Sequence, residues 1–149
     1  MTQETDALDA RIGRLEDIEE IRELAISYKL ALDGKDTAAY AALFAETGVL
    51  WCTPELVAEG PAAIKELVDG MGGNLLTEQV GTDFHVIANH LIDLDGDRAR
   101  GSLTWLYLII GDDGAPQLSK VGHYVDEYVR ENGRWRFARR EAPTDIPVV

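Results

Sequence analysis

The chain has 149 residues, 46% of them apolar and 28% charged, which is the size and balance of one globular domain, and it holds no apolar run long enough to cross a bilayer. Its 14 Lys and Arg against 27 Asp and Glu leave a net charge of −13, which argues against a nucleic-acid or acidic membrane surface, since both attract basic proteins. A lone cysteine, Cys52, excludes an intrachain disulfide, and His85, His90 and His123 form no HExxH-type pair, so neither a metal nor a cofactor is expected.

The start, MTQETDALDARIGR, is polar and acidic rather than basic then apolar, so no signal peptide is expected and a cytoplasmic location is. Residues 1–8 read as a loose N-terminal extension. From Leu8 to Leu32 the apolar positions Leu8, Ile12, Leu15, Ile18, Ile21, Leu24, Ala25, Tyr28 and Leu32 recur every three or four residues, which predicts a long amphipathic helix. Its end falls in SYKLALDGKD, where Gly34 is expected to supply the left-handed residue and Asp36 to cap a short second helix over Thr37 to Phe44. Asp33 stands out there, because a carboxylate at a helix C-terminus meets the negative pole of the macrodipole. A solvated turn aspartate would look the same in sequence.

GVLWCT then reads as a short strand, and GPAAIKELVDGM as a third helix with Pro61 in its first turn and Gly70, Gly72 and Gly73 ending it. Beyond residue 80, TDFHVIANHLIDLDGD, RARGSLTWLYLIIGDDG, LSKVGHYVDEYVRENG and RWRFARRE are β-rich, and all but the last close on Gly, Asp or Asn turn chemistry. They predict a four-strand meander, with 143–149 left as a C-terminal tail. Helices first and an antiparallel sheet afterwards define an α+β class, a single domain over 1–149 in which three helices pack against a curved, mainly antiparallel sheet with a cavity between.

Three residues among apolar neighbours carry the candidate chemistry: Tyr28, Asp33 and His85. Tyr28 suits core packing as well as catalysis, and His85 in DFHVIANHL suits a structural role as well as a functional one. Together they make a general base: a carboxylate sets the tautomer of the histidine, and a tyrosine hydroxyl polarises a substrate oxygen. No GxSxG elbow, P-loop or dinucleotide fingerprint is present, so acyl transfer, phosphoryl transfer and nicotinamide chemistry lack a sequence basis. Leu103, Trp105 and Tyr107 share one strand face by the two-residue period, and with Trp51 they would line a cavity for a flat, hydrophobic cyclic molecule. Such aromatics also fill cores or oligomer interfaces, the reading preferred for Trp135 and Phe137.

The order YKLALDGKDTAAYAALF, GVLWC, GPAAIKELV, FHVIANHLIDLDGDRARGSLTW and GHYVDEYVRENGRWRFARR resembles a SnoaL-like domain of the nuclear transport factor 2-like superfamily, over about residues 9 to 141. The resemblance implies a cone: a strongly curved sheet around a pocket closed by the first helix. Within the superfamily the chain is most similar to scytalone dehydratase, bile-acid 7α-dehydratase and hexachlorocyclohexane dehydrochlorinase, through Asp33 in LDGKD, His85 in FHVIAN and the DEYVRENGRWRF hairpin. In those relatives the matching aspartate and histidine form a proton-abstracting dyad, and Tyr28 matches a tyrosine of the bile-acid enzyme. The chain departs from them at Tyr107, where the bile-acid enzyme has an acidic residue, and at His123, which is out of register with the second histidine of scytalone dehydratase. Arg140 lies near a dehydrochlorinase arginine that contacts the leaving group, although a charged residue so near a terminus is expected to be solvated. Ketosteroid isomerase and limonene epoxide hydrolase signatures are missing from VLWCTP and GSLTWLYLII. The implied function is a cofactor-independent dehydratase-type lyase acting on a small cyclic or aromatic substrate, in a homodimer or homotrimer. The alternatives are a non-catalytic binding domain, or an isomerase or cyclase using the same base.

Overall fold

The chain opens with a 31-residue helix, α1 (Gln3–Asp33), started by Thr2, whose side chain accepts the Thr5 backbone N–H at 3.4 Å. The computed structural model describes residues 2–71 and 80–147. The segment expected as a loose extension is thus helical from Gln3. The apolar stripe of α1 is only partly used: Ile21, Leu24, Ala25 and Tyr28 are buried, whereas Leu8, Ile12 and Leu15 remain exposed.

The end of α1 differs from expectation. Gly34 stays right-handed at φ −77°, and Lys35 takes the left-handed position at φ 57°. The turn closes in Schellman fashion, with Lys35 N–H donating to Leu32 O (3.2 Å) and Asp36 N–H to Ala31 O (2.9 Å). A left-handed lysine costs roughly 1–2 kcal/mol. Its ammonium, 2.5 Å from the buried Asp83 carboxylate, offsets that strain.

Asp36 caps α2 (Thr37–Ala41) as expected, accepting Ala39 N–H at 2.9 Å. The helix stops short of Phe44, which begins β1 (Phe44–Thr53) instead. β2 (Leu56–Glu59) folds back on β1, and α3 (Pro61–Met71) follows, with Gly70 inside the helix rather than ending it. Gly72 and Gly73 lie outside the described residues.

The meander is β3 (Asp83–Asp95), β4 (Arg98–Ile110), β5 (Pro116–Glu131) and β6 (Arg134–Glu141). A last strand, β7 (Thr144–Ile146), pairs with β5, so the expected tail in fact extends the sheet. The sheet order is β2-β1-β6-β5-β4-β3, antiparallel throughout except for the parallel β1–β6 pair. It is curled but not closed, and the three helices complete a cone-shaped α+β fold.

Two features bend it. Asn89 is left-handed (φ 58°) in a bulge where Asn89 and His90 face the single residue Leu103. At Gly101 a Cβ would stand 2.6 Å from Leu91 O, so the strands approach there as only glycine allows. The core lies inside the cone, and Trp135 and Phe137 belong to it rather than to an outer face.

Candidate active site

Between the helices and the sheet lies a cavity of about 250 Å³. Its deep wall is aromatic, formed by Tyr28, Tyr40, Trp105, Tyr107, Tyr124 and the His85 ring, all buried. Residues that keep some exposure border it as well: Thr53 from β1, Lys120 from β5, and Thr144 and Pro147 from the C-terminal segment.

Asp33 is the last residue of α1, and His85 is the third residue of β3. Asp33 Oδ1 lies 2.8 Å from His85 Nδ1, and the His85 backbone N–H is 3.1 and 3.2 Å from the two carboxylate oxygens. Lys29, one turn back on α1, reaches Oδ2 at 2.9 Å. These partners answer the unfavourable placement at the helix end. Burial pushes the Asp33 pKa up, but the bonds from the His85 ring, Lys29 and the His85 N–H, with the charge of His85, outweigh it and hold the carboxyl below its ordinary range. An ionised carboxylate only accepts, so His85 Nδ1 carries the proton and Nε2 is the basic nitrogen.

A second cluster adjoins the first. The Tyr107 hydroxyl donates to Asp83 Oδ2 at 2.9 Å, and Lys35 neutralises the other oxygen. Tyr107 is the β4 partner of His85, with ring centroids 4.9 Å apart. Its hydroxyl is thereby turned to a structural carboxylate.

Also on the cavity wall, Tyr40 donates to the Tyr28 hydroxyl at 2.5 Å, which leaves the Tyr28 proton for a cavity-bound oxygen. Burial raises the pKa of Tyr28 well above the ordinary phenol, against the opposing charge of Arg140, so this donor stays protonated. Burial likewise raises Tyr40 and Tyr124, and it pushes the Cys52 thiol up to about 11.

Of the sequence candidates, Tyr28, Asp33 and His85 are gathered here, Asp33 behind the histidine rather than on the cavity wall. Trp105 and Tyr107 border the cavity, whereas Leu103 is packed further along β4 in the core opposite Tyr124. Trp51 does not border it; Cys52 and Thr53 do, at a bulge that shifts the register of β1. Arg140 is not solvated but wholly buried, because Asp126 stands opposite it on β5 and binds Nε and Nη2 at 2.8 and 2.7 Å. Its guanidinium carbon lies 3.9 Å from the Tyr124 ring centroid and 4.2 Å from those of Tyr28 and Phe137. Arg140 therefore supports the tyrosine wall from behind. Sequence reasoning missed Tyr40, Tyr124 and Lys120. Tyr124 was legible as part of the GHYVDEY alternation, but Lys120 becomes visible only once the β4–β5 register is known.

Among the described residues no three His, Cys, Asp or Glu side chains converge as a metal site, and no helix is long and apolar enough to cross a membrane. A curled sheet wrapped on a long helix, with a pocket inside, defines the nuclear transport factor 2-like class. Within it the chain belongs to the SnoaL-like domain family, whose model matches residues 13–141. An NTF2-like protein with a cystatin-like fold from Novosphingobium aromaticivorans superposes with a TM-score of 0.84 at 29% identity, covering 95% of this chain and 90% of that one. A candidate scytalone dehydratase from the same organism gives 0.73 at 25% identity, covering 89% and 87%. LinA gives 0.76 at 21% identity, covering 91% and 90%, a likeness of fold. No curated protein matches the sequence.

Proposed function

We propose that the chain is a cofactor-independent lyase of the dehydratase type, acting on a small cyclic or aromatic, largely hydrophobic substrate. The observation that carries this reading is the 2.8 Å His85–Asp33 contact at the wall of an aromatic cavity. In the proposed reaction His85 Nε2 takes a proton from a substrate carbon. The C–H electron pair becomes the new C=C bond as a hydroxyl leaves the neighbouring carbon. The imidazolium returns the proton to the departing oxygen, water is released and the base is restored. Asp33 stabilises the imidazolium, and Tyr28 donates to the substrate oxygen on which charge builds, at low dielectric where such a bond counts most.

One observation favours a second reading, an isomerase or cyclase using the same base. Tyr107 gives its hydroxyl to Asp83, so the central strand supplies no acid there for a leaving group. The deciding experiment is incubation with cyclic β-hydroxy carbonyl compounds, followed by mass spectrometry for loss of water, with His85→Gln as control. Water loss that depends on His85 supports the lyase; rearrangement at constant mass supports the second reading; binding without product favours a non-catalytic binding domain.

The reading includes a homodimer or homotrimer. Its support is an outward apolar face, with Phe84 and Val86 on β3 and Leu118 on β5 all exposed, beside Leu106 and Leu108 on β4. Light scattering during size-exclusion chromatography tests it, and Phe84→Glu is expected to yield monomer.

A further inference from the structure

His85, Tyr107 and Lys120 form one row across three strands: His85 is paired with Tyr107 between β3 and β4, and Tyr107 with Lys120 between β4 and β5. All three border the cavity. With adjacent strands about 4.8 Å apart, the backbone positions of His85 and Lys120 are separated by roughly 10 Å, a span bridged by a one- or two-ring molecule. Lys120 extends over the ring between them, its Nζ 5.9 Å from the Tyr107 centroid.

The cations near this site differ in how they are used. Lys29 is committed to Asp33 and Lys35 to Asp83, whereas Lys120 has no carboxylate partner within salt-bridge distance among the described residues. A lone ammonium beside aromatic and apolar groups, in a chain of net charge −13, is a local exception to a field that repels anions. It is also placed where an opposite charge would be partly desolvated, and there an ion pair discriminates more strongly than at an open surface.

We infer that Lys120 selects a substrate bearing a carboxylate, which it binds at one end of the row while the reacting C–H faces His85 at the other. The inference rests on the proposed catalytic use of His85 and deepens it by naming the substrate class: cyclic or aromatic acids rather than neutral polycycles. Tyr107, with its hydroxyl tied to Asp83, is the flat surface on which the intervening ring rests.

The test is a calorimetric comparison of matched probes, benzoate against benzamide and 2-naphthoate against 2-naphthamide, on the wild-type chain and on Lys120→Met, Lys120→Arg and His85→Gln. The acid is expected to bind at least about tenfold more tightly than its amide to the wild type. That preference is expected to fall to about twofold or less in Lys120→Met, and to persist in Lys120→Arg and His85→Gln. Equal affinity for acid and amide in the wild type, a preference that survives Lys120→Met, or binding of neither probe overturns the inference. Turnover is scored separately. A Lys120-dependent acid preference with no product from cyclic hydroxy acids removes the lyase reading alone, and His85-dependent product from neutral substrates without acid preference removes the anion site alone.

Discussion

The Asp33 carboxylate accepts both the ring Nδ1–H and the backbone N–H of His85, so the group that orients the imidazole also fixes the strand that carries it. Asp33→Asn keeps the size of the side chain but can present an N–H to Nδ1, which shifts the ring proton to Nε2 and removes the base. Turnover is expected to fall by about 10³- to 10⁴-fold. Thermal unfolding should move by only a few degrees, because the amide oxygen still accepts the His85 backbone N–H. Unchanged turnover would remove the dyad from the mechanism.

Acid is expected to destabilise the fold in two windows. His90 is lowered from 6.5 to about 4, first by burial, with the charges of Arg140 and Arg22 acting with it and Asp126 against it. Between those values the unfolded chain binds the extra proton, so stability declines as pH falls from 6.5 to 4, by on the order of 2 kcal/mol after allowance for partial exposure. Asp33, held below its ordinary 3.8, adds stability that is complete above that value and lost as pH falls through its folded-state pKa. Urea titrations across pH check both, and His90→Gln should flatten only the upper window.

Arg140 and Asp126 are both fully buried and bonded twice. Replacing Arg140 by Met strands a carboxylate whose other partner is the Tyr128 hydroxyl at 2.7 Å. The expected cost is about 3–5 kcal/mol in chemical denaturation. Arg140→Met with Asp126→Leu should recover most of that, since a buried pair is worth little more than well-packed apolar groups. Failure of the double variant to recover would mean that the stacking of Arg140 on Tyr28, Tyr124 and Phe137 outweighs the ion pair.

Gly122 faces Trp105 across β4 and β5, and a Cβ there would lie 2.1 Å from the indole ring and 2.4 Å from Pro143 O. Gly122→Ala is therefore expected to displace the indole, break its 3.1 Å bond to His123 O and cost about 1–3 kcal/mol. A shift of tryptophan emission together with weakened ligand binding is the expected signature. An unchanged spectrum would show that β5 yields instead.

Local patterns made much of this legible. The period of α1, the Asp36 cap and the meander strands follow from short-range preferences, and Asp33 was conspicuous because it violated one. What escaped depended on partners far away in sequence. Lys35 rather than Gly34 is left-handed because Asp83 lies within reach of its ammonium. Arg140 is buried because Asp126 is its cross-strand neighbour, and Cys52 rather than Trp51 meets the cavity because a bulge sets the parity of β1. The exposure of Leu8, Ile12 and Leu15 has the same origin, since periodicity tells which face is apolar and not how far another element extends to cover it.

The cavity wall takes Tyr28 from α1 and Pro147 from just beyond β7, so it joins segments far apart in sequence. Pocket closure is therefore among the longest-range events of folding, and such contacts form slowly. A ligand that binds the closed pocket and not the unfolded chain therefore draws the population toward the folded state by mass action.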